Sequence, residues 1–304
     1  MSTSGKHDRN RRNSLRMLAA APLLLAGAAS AQSGKATARA DGPRVALVLG
    51  SGSARGFSHI GVIKALEAAR IKPDLIVGTS AGALVGAFYA AGFTGAQMEE
   101  LAIRVKDIDI VDMGTGAKRG MVMGDTLQMF VNKATRERPI ESLGIPFIAV
   151  ATQLRTGEVK TFRSGDLGLA VRASCSVPGV FIPPKINDQE YVDGGLVAPV
   201  PVRVARDAGA DFVIAVDVSS GPLNATPVGI YEQVMHSFDI MGRSLAKLEA
   251  EQADVVIRPD TARIASTDFN ARAAFIQIGQ STGTRFAPVV QEKLAAWRAP
   301  KKRA

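Results

Sequence analysis

Ser80 lies between two glycines in the stretch "LIVGTSAGALVGAFYAAG", residues 75–92, where an apolar run gives way to a small-residue helical pattern. A serine on such a strand-to-helix turn can stand its hydroxyl clear of a sheet as a nucleophile, with Gly78 and Gly82 keeping side chains out of the tight turn. The same residue can also be a helix cap. In a chain with 30 glycines among 304 residues, the bare G-x-S-x-G pattern does not choose between these.

A serine nucleophile needs a base and donors for the oxyanion that forms when it attacks a carbonyl. The three histidines are His7 near the N-terminus, His59 on the helical pattern after a glycine-bearing turn, and His236 inside a long amphipathic pattern. None follows a strand, so a Ser-His-Asp triad is hard to assemble. Asp193, in "EYVDGGL", follows a short strand and is trailed by Gly194 and Gly195, which leave room around its carboxylate. A carboxylate is a weak base for serine unless desolvation raises its pKa, so a direct Ser-Asp pair demands a closed pocket. Taken alone, D-G-G also reads as a turn. The other glycine-bearing turn, "GSGSARG" at 50–56, offers backbone N–H groups among small residues at Gly50, Gly52, Ser53, Ala54 and Arg55. That composition suits an oxyanion hole. It fits a dinucleotide fingerprint poorly, because Gly56 comes one position late and no acidic residue ends the next strand.

Placing these residues requires strands that each feed a helix. Short β-branched runs alternate with helical patterns along the chain, which predicts an α/β fold with a largely parallel sheet. "RVALVLG" and "PDLIVGTS" read as strands buried on both faces, and "GFSHIGVIKALEAARI" and "AGALVGAFYAAG" as the helices that follow them. "PFIAVATQL" and "EVKTF" read as a pair around "RTGE". "DLGLAVRASCSVPG" starts as a helix near Asp166 and is stopped by Pro178. Beyond it come a short strand ending at "EYVDGG", the helix "VPVRVARDAGA", the strand "DFVIAVDVS", the long helix "IYEQVMHSFDIMGRSLAKLEAEQA", the strand "DVVIRPD" and a last helix over "TRFAPVVQEKLAAWRA". The region "IDIVDMGTGAKRGMVMGDTL", with Met121, Val122 and Met123, is less regular and suits a loop or cap.

Residues 1–31 have a basic leader, an apolar stretch from Met17 to Ala28 and the small-residue end Ala29-Ser30-Ala31, as in an export signal cut after Ala31. Arg11 and Arg12 resemble the twin-arginine signal, from which Asn13 and Ser14 depart. The apolar stretch is short for a membrane span, which needs about 20 residues. The expected organisation is a signal peptide over 1–31, a flexible lead-in over 32–43 and one domain over 44–304, exported to the periplasm or secreted, with a transient membrane-surface contact. Export would reduce the net charge of +9 to about +5, a mild bias without motifs for nucleic acid. One cysteine, Cys175, excludes an internal disulfide and any multi-cysteine metal site, and it reads as a small buried hydrophobe. No histidine pair has ligand spacing, so a metal centre is not expected.

Taken in order, "VALVLGSGSARGFSHIGVIKALEAARIKPDLIVGTSAGALVGAFYAAG", "RASCSVPGVFIPP" and "YVDGGLVAPVP" resemble the bacterial patatin-like phospholipases over about residues 44–220. The resemblance implies a three-layer α/β/α fold with a mostly parallel central sheet and a serine hydrolase acting on acyl lipids or phospholipids without a cofactor. It puts the nucleophile on Ser80, its carboxylate partner on Asp193 and the oxyanion loop on Gly50 to Gly56. Two features depart from the family or stay open. Ser51 and Ser53 interrupt what is often a run of glycines, and Arg55 either binds a phosphate or braces the turn. A non-catalytic lipid-binding protein on the same fold is the alternative reading, and a nucleotide-dependent oxidoreductase a more distant one.

Overall fold

Residues along β1 (Val45–Leu49) alternate between two hydrophobic clusters, and that alternation defines the layers. Val45, Leu47 and Leu49 face one cluster, Ala46 and Val48 the other, and all five are buried. A strand with apolar side chains on both faces needs cover on both, so the sheet lies between two helical layers. The computed structural model describes residues 42–106, 111–113, 119–219 and 229–297, within a compact unit of 38–304. The expected signal peptide, most of the lead-in and parts of the irregular region near residues 108–118 lie outside the described residues.

β1 leads through a 3-10 turn (Ser53–Gly56) into α1 (Phe57–Ala68), and β2 (Leu75–Thr79) leads into α2 (Ala81–Ala90). There follow α3 (Gly95–Arg104), α4 (Asp125–Ala134), β3 (Phe147–Gln153), β4 (Val159–Phe162), α5 (Leu167–Cys175), β5 (Lys185–Ile186) and β6 (Gln189–Asp193). The chain continues with α6 (Val202–Asp207), β7 (Phe212–Val216), α7 (Ile230–Ala250), β8 (Val255–Ile257) and α8 (Arg272–Ala296). Strands β8, β7, β1, β2 and β3 are parallel neighbours, while β4 and β6 run antiparallel to β3. One face carries residues of α1, α2 and α5, the other residues of α6 and α7. The layered, mostly parallel fold expected from the sequence is therefore present.

The position of β6 decides where the site forms. Along β3, β2 pairs with residues 147–150, β4 with 149–152 and β6 with 151–153. A strand has two edges, so β4 fills one and β2 and β6 share the other. Thr79 ends β2 opposite Val150, and Asp193 ends β6 opposite Ala151. The two strands thus run toward each other along one edge of β3 and stop at adjacent registers.

The last helix is longer than the sequence pattern indicates. It begins at Arg272 rather than near Thr284 and passes through Gly279, Gly283 and Pro288, residues of poor helix propensity. Packing overrides propensity here. A Cβ on Gly279 would lie 2.0 Å from the Ser58 carbonyl oxygen, and one on Gly61 of α1 would lie 2.0 Å from the Ile276 oxygen. The glycines let two backbones approach more closely than side chains would allow. Gly279→Ala should force α8 away from α1 and lower stability by roughly 1–3 kcal/mol, read as a drop in chemical-denaturation midpoint.

Candidate active site

Ser80 occupies the turn between β2 and α2 with φ 55° and ψ −123°, a conformation that a residue with a Cβ adopts at a cost. It stands at the N-cap position of α2, yet its side chain makes no capping hydrogen bond. The hydroxyl instead donates to Asp193 Oδ2 at 2.6 Å. That distinguishes the two sequence-level readings of this serine, because a capping hydroxyl would be turned toward its own helix.

The flanking glycines are close-approach positions. A Cβ on Gly82 would lie 2.1 Å from the Leu49 oxygen, and one on Gly78 would lie 2.4 Å from the Gly82 oxygen. The first turn of α2 thereby nests against the end of β1, bringing Ser80 beside the loop that leaves β1. Gly194 is equally constrained, since its Cβ would meet the Val150 oxygen at 2.3 Å, and Gly195 faces Ser51 Oγ and Asp193 Oδ1 at 3.0 Å.

Asp193 is 6% exposed and Ser80 7%. Burial pushes the Asp193 carboxyl up to about 6, while the hydrogen bonds from the Ser80 hydroxyl and the Gly195 amide pull it back. The Gly195 N–H bond to Oδ1 is 2.7 Å long, leaving Oδ2 for the serine. Backbone contacts fix the residue from both sides, with its N–H donating to the Ser176 oxygen and its C=O accepting from Thr152 Oγ1, each at 2.8 Å. The result is a carboxylate poised to accept a proton near neutral pH.

The loop after β1 divides its amides. Gly50 N–H donates to the Val216 oxygen, Ser51 N–H to Pro199, Ala54 N–H to Ser266 and Arg55 N–H to Gly52. The Gly50, Ala54 and Arg55 amides anticipated as oxyanion donors are thus already engaged. Among the described residues Gly52 and Ser53 have no such acceptor, and they are the half-buried and exposed residues of the turn. Ser53 has φ 52°, a second strained serine in the site. Of the amides anticipated as oxyanion donors, these two consecutive ones are left without a backbone partner among the described residues.

Arg55 braces the turn. It is 5% exposed, and its guanidinium pairs with Asp239 of α7 at 3.3 Å. Burial lowers its pKa, opposed by the Asp239 charge. His59 supports the same loop from below, with Nε2 2.8 Å from the Gly50 oxygen. Complete burial pushes its imidazole down to about 4, so a neutral ring donates to that carbonyl. His236, on α7, makes no contact with Ser80 among the described hydrogen bonds.

Cys175 is half-buried at the end of α5, close enough to the pair to be affected by both members. Burial and the Asp193 charge raise its thiol well above the ordinary value, the Ser80 hydroxyl acting in the opposite sense. It stays protonated and does not compete as nucleophile. Met121 and Met123 are exposed at 46% and 41%, whereas Val122 between them is buried and bridges Met113 and Phe181. The three residues therefore split between surface and core.

Three polar residues of the site carried no signal of their own in the sequence: Thr79, Thr152 and Ser174. Thr79 Oγ1 donates to the Ala198 oxygen at 2.8 Å, and Ser174 Oγ accepts from the Ser80 amide at 2.8 Å. All are buried hydroxyls with specific partners, and only tertiary contacts reveal that.

Comparison with known proteins places the chain in a family. Residues 47–206 match the family described as "Patatin-like phospholipase". The chain is 33% identical over 234 residues to the mouse "Patatin-like phospholipase domain-containing protein 6", an alignment covering 74% of this chain and 17% of the mouse protein. It is 37% identical over 183 residues to an uncharacterized NTE family protein of Mycobacterium bovis, covering 58% of this chain and 49% of that protein. The chain thus spans less than half the length of either relative. Among solved structures, VipD from Legionella pneumophila superposes with a TM-score of 0.53 at 13% identity, covering 82% of this chain and 67% of VipD, a likeness of fold. With more than half its length matched, the chain belongs to the patatin-like phospholipase family.

Proposed function

We propose that the protein is a serine lipid acyl hydrolase that cleaves carboxylic esters of acyl lipids or phospholipids through Ser80 and Asp193. The observation that carries this reading is the 2.6 Å hydrogen bond from a strained, non-capping serine to a buried carboxylate. Such an arrangement has a chemical use and a folding cost, because it buries a charge and holds a backbone strained.

Ser80 Oγ attacks the acyl carbonyl carbon as its proton passes to Asp193 Oδ2. The carbonyl oxygen becomes an oxyanion, held by the Gly52 and Ser53 amides. Collapse of the tetrahedral intermediate breaks the ester C–O bond, and Asp193 returns the proton to the departing alkoxide, which leaves as the alcohol or lysolipid. Water then attacks the acyl-serine with Asp193 again as base, releasing the fatty acid and restoring the Ser80 hydroxyl. His59 takes no proton in this scheme, since burial pushes its pKa down to about 4 and its Nε2 is committed to Gly50.

A transient contact with the lipid surface is part of the proposal. Met121 and Met123 are exposed beside a segment whose backbone bonds to Val180, a few residues beyond the site-lining end of α5. Export to the periplasm or medium is also proposed, on the leader pattern of residues 1–31. Fractionation of cells expressing the full chain tests the export step. A product shortened after Ala31 outside the cytoplasm is expected, and full-length protein retained inside would count against it.

Incubation with a lipid panel should release fatty acid from at least one acyl ester, and Ser80→Ala and Asp193→Asn should each reduce the rate by about a thousandfold or more. A fluorophosphonate probe should label the protein but not Ser80→Ala. An unlabelled, inactive wild-type protein would favour the lipid-binding alternative. Because Asp193 must be ionised to act as base, kcat/KM should rise with pH through about 6 and level off above it. A flat profile would contradict its role.

The same carboxyl links stability to pH. Its folded pKa lies above the unfolded value, so the stability it contributes is present at low pH and lost as pH rises through about 6. At pH 8 the buried charge costs folding on the order of 3 kcal/mol. Asp193→Asn should therefore raise Tm at pH 8 and change it little at pH 4, with thermal unfolding as the readout.

A further inference from the structure

The hydrogen-bond ladder between β2 and β3 stops one rung short, and a side chain occupies the missing rung. Ile76 N–H donates to the Pro146 oxygen at 2.9 Å, with Ile76 opposite Phe147 and Thr79 opposite Val150. In a parallel pair the donors of one strand recur every second residue, so this register assigns Ser80 N–H to the Val150 oxygen. Instead the Ser174 hydroxyl lies between them, accepting from Ser80 N–H at 2.8 Å and donating to the Val150 oxygen at 2.6 Å.

Ser174 is fully buried on the last turn of α5, and both of its contacts are to backbone atoms. A hydroxyl can donate and accept at once, which is what replacing a direct N–H to O=C bond requires. The substitution adds an atom to the rung and holds Ser80 away from β3 at the last position before β6 takes over that edge. Ser80 then departs at φ 55° instead of in extended backbone. Its displaced hydroxyl points at Asp193, which ends β6 on that same edge.

We propose that Ser174 is a positioning residue that wedges open the end of the β2–β3 ladder and so sets the aim of Ser80. The inference rests on Ser80 being the nucleophile. It makes a prediction opposite to that of an ordinary buried hydrogen bond. Without the hydroxyl, Ser80 N–H and the Val150 oxygen can bond directly, so the fold keeps its hydrogen bonds while the serine loses its aim.

The test compares wild type, Ser174→Ala, Ser174→Thr and Ser80→Ala by ester hydrolysis, fluorophosphonate labelling and thermal unfolding. Ser174→Ala should lower kcat by about 10- to 100-fold, as expected of a misplaced reacting group, with KM changed less than about twofold. Its Tm should not fall, and the probe should label the whole population at a slower rate. Ser174→Thr, which keeps the hydroxyl, should recover most of the rate. Wild-type kcat in Ser174→Ala overturns the proposal. So does a loss matched by a lowered Tm and a smaller labelled fraction reacting at the normal rate, since that is a folding defect. A folded Ser174→Thr as slow as Ser174→Ala overturns it too. If Ser80→Ala remains active, the nucleophile assignment fails instead; if it is inactive while Ser174→Ala is normal, only the wedge fails.

Discussion

The site depends on one constraint of sheet pairing. Two strands cannot occupy the same stretch of one edge, so β2 and β6 must stop where they meet along β3, Thr79 opposite Val150 and Asp193 opposite Ala151. Residues at such a junction lose their regular ladder partners but remain in the interior. Their polar groups must be satisfied by other means or cost free energy. Buried hydroxyls supply the replacements: Ser174 for the Ser80 amide, Thr152 for the Asp193 carbonyl and Thr79 for the Ala198 carbonyl. Ser80 and Asp193 are close because both chains end there, and their side chains complete the same set of bonds.

The electrostatics follow from that placement. A carboxylate within a sheet layer is poorly solvated, so its proton affinity rises and it becomes a better base for a hydroxyl than an exposed aspartate. Burial moves two neighbouring groups away from neutral pH, His59 downward and Cys175 upward. Burial neutralises His59 and directs it to a structural bond with Gly50, and it keeps the Cys175 thiol protonated. Arg55 holds the loop to α7 through Asp239, whose charge, with that of Asp217, opposes the desolvation of the guanidinium. Of the ionisable groups around the loop, Asp193 is the one whose protonation changes near neutral pH while it touches the serine.

Much of the scaffold was legible in local pattern. The β-branched runs at 45–49, 75–79 and 212–216 are strands, and Asp166 caps α5, accepting from Leu169 N–H, while Pro178 prevents its continuation. Helix α8 was only half legible, because its N-terminal half carries Gly279 and Gly283, residues of poor helix propensity that close contact with α1 explains. The loop after β1 stood out by its small residues, but composition could not say which of its amides are already bonded. Partners distant in sequence, Val216, Pro199 and Ser266, decide that.

By itself the sequence determined the kind of chemistry available: a serine on a glycine-flanked turn, an aspartate after a short strand, and a loop of small residues, because these depend on residue type and on neighbours a few positions away. The tertiary structure decided which hydroxyl meets which carboxylate, which two amides remain open, and that Arg55 and His59 brace the site. Those outcomes rest on the register of β2, β3 and β6 and on bonds between distant positions, 113 residues apart for Ser80 and Asp193 and 184 for Arg55 and Asp239. Burial, which sets the proton affinity of Asp193, exists only once those layers have closed over it.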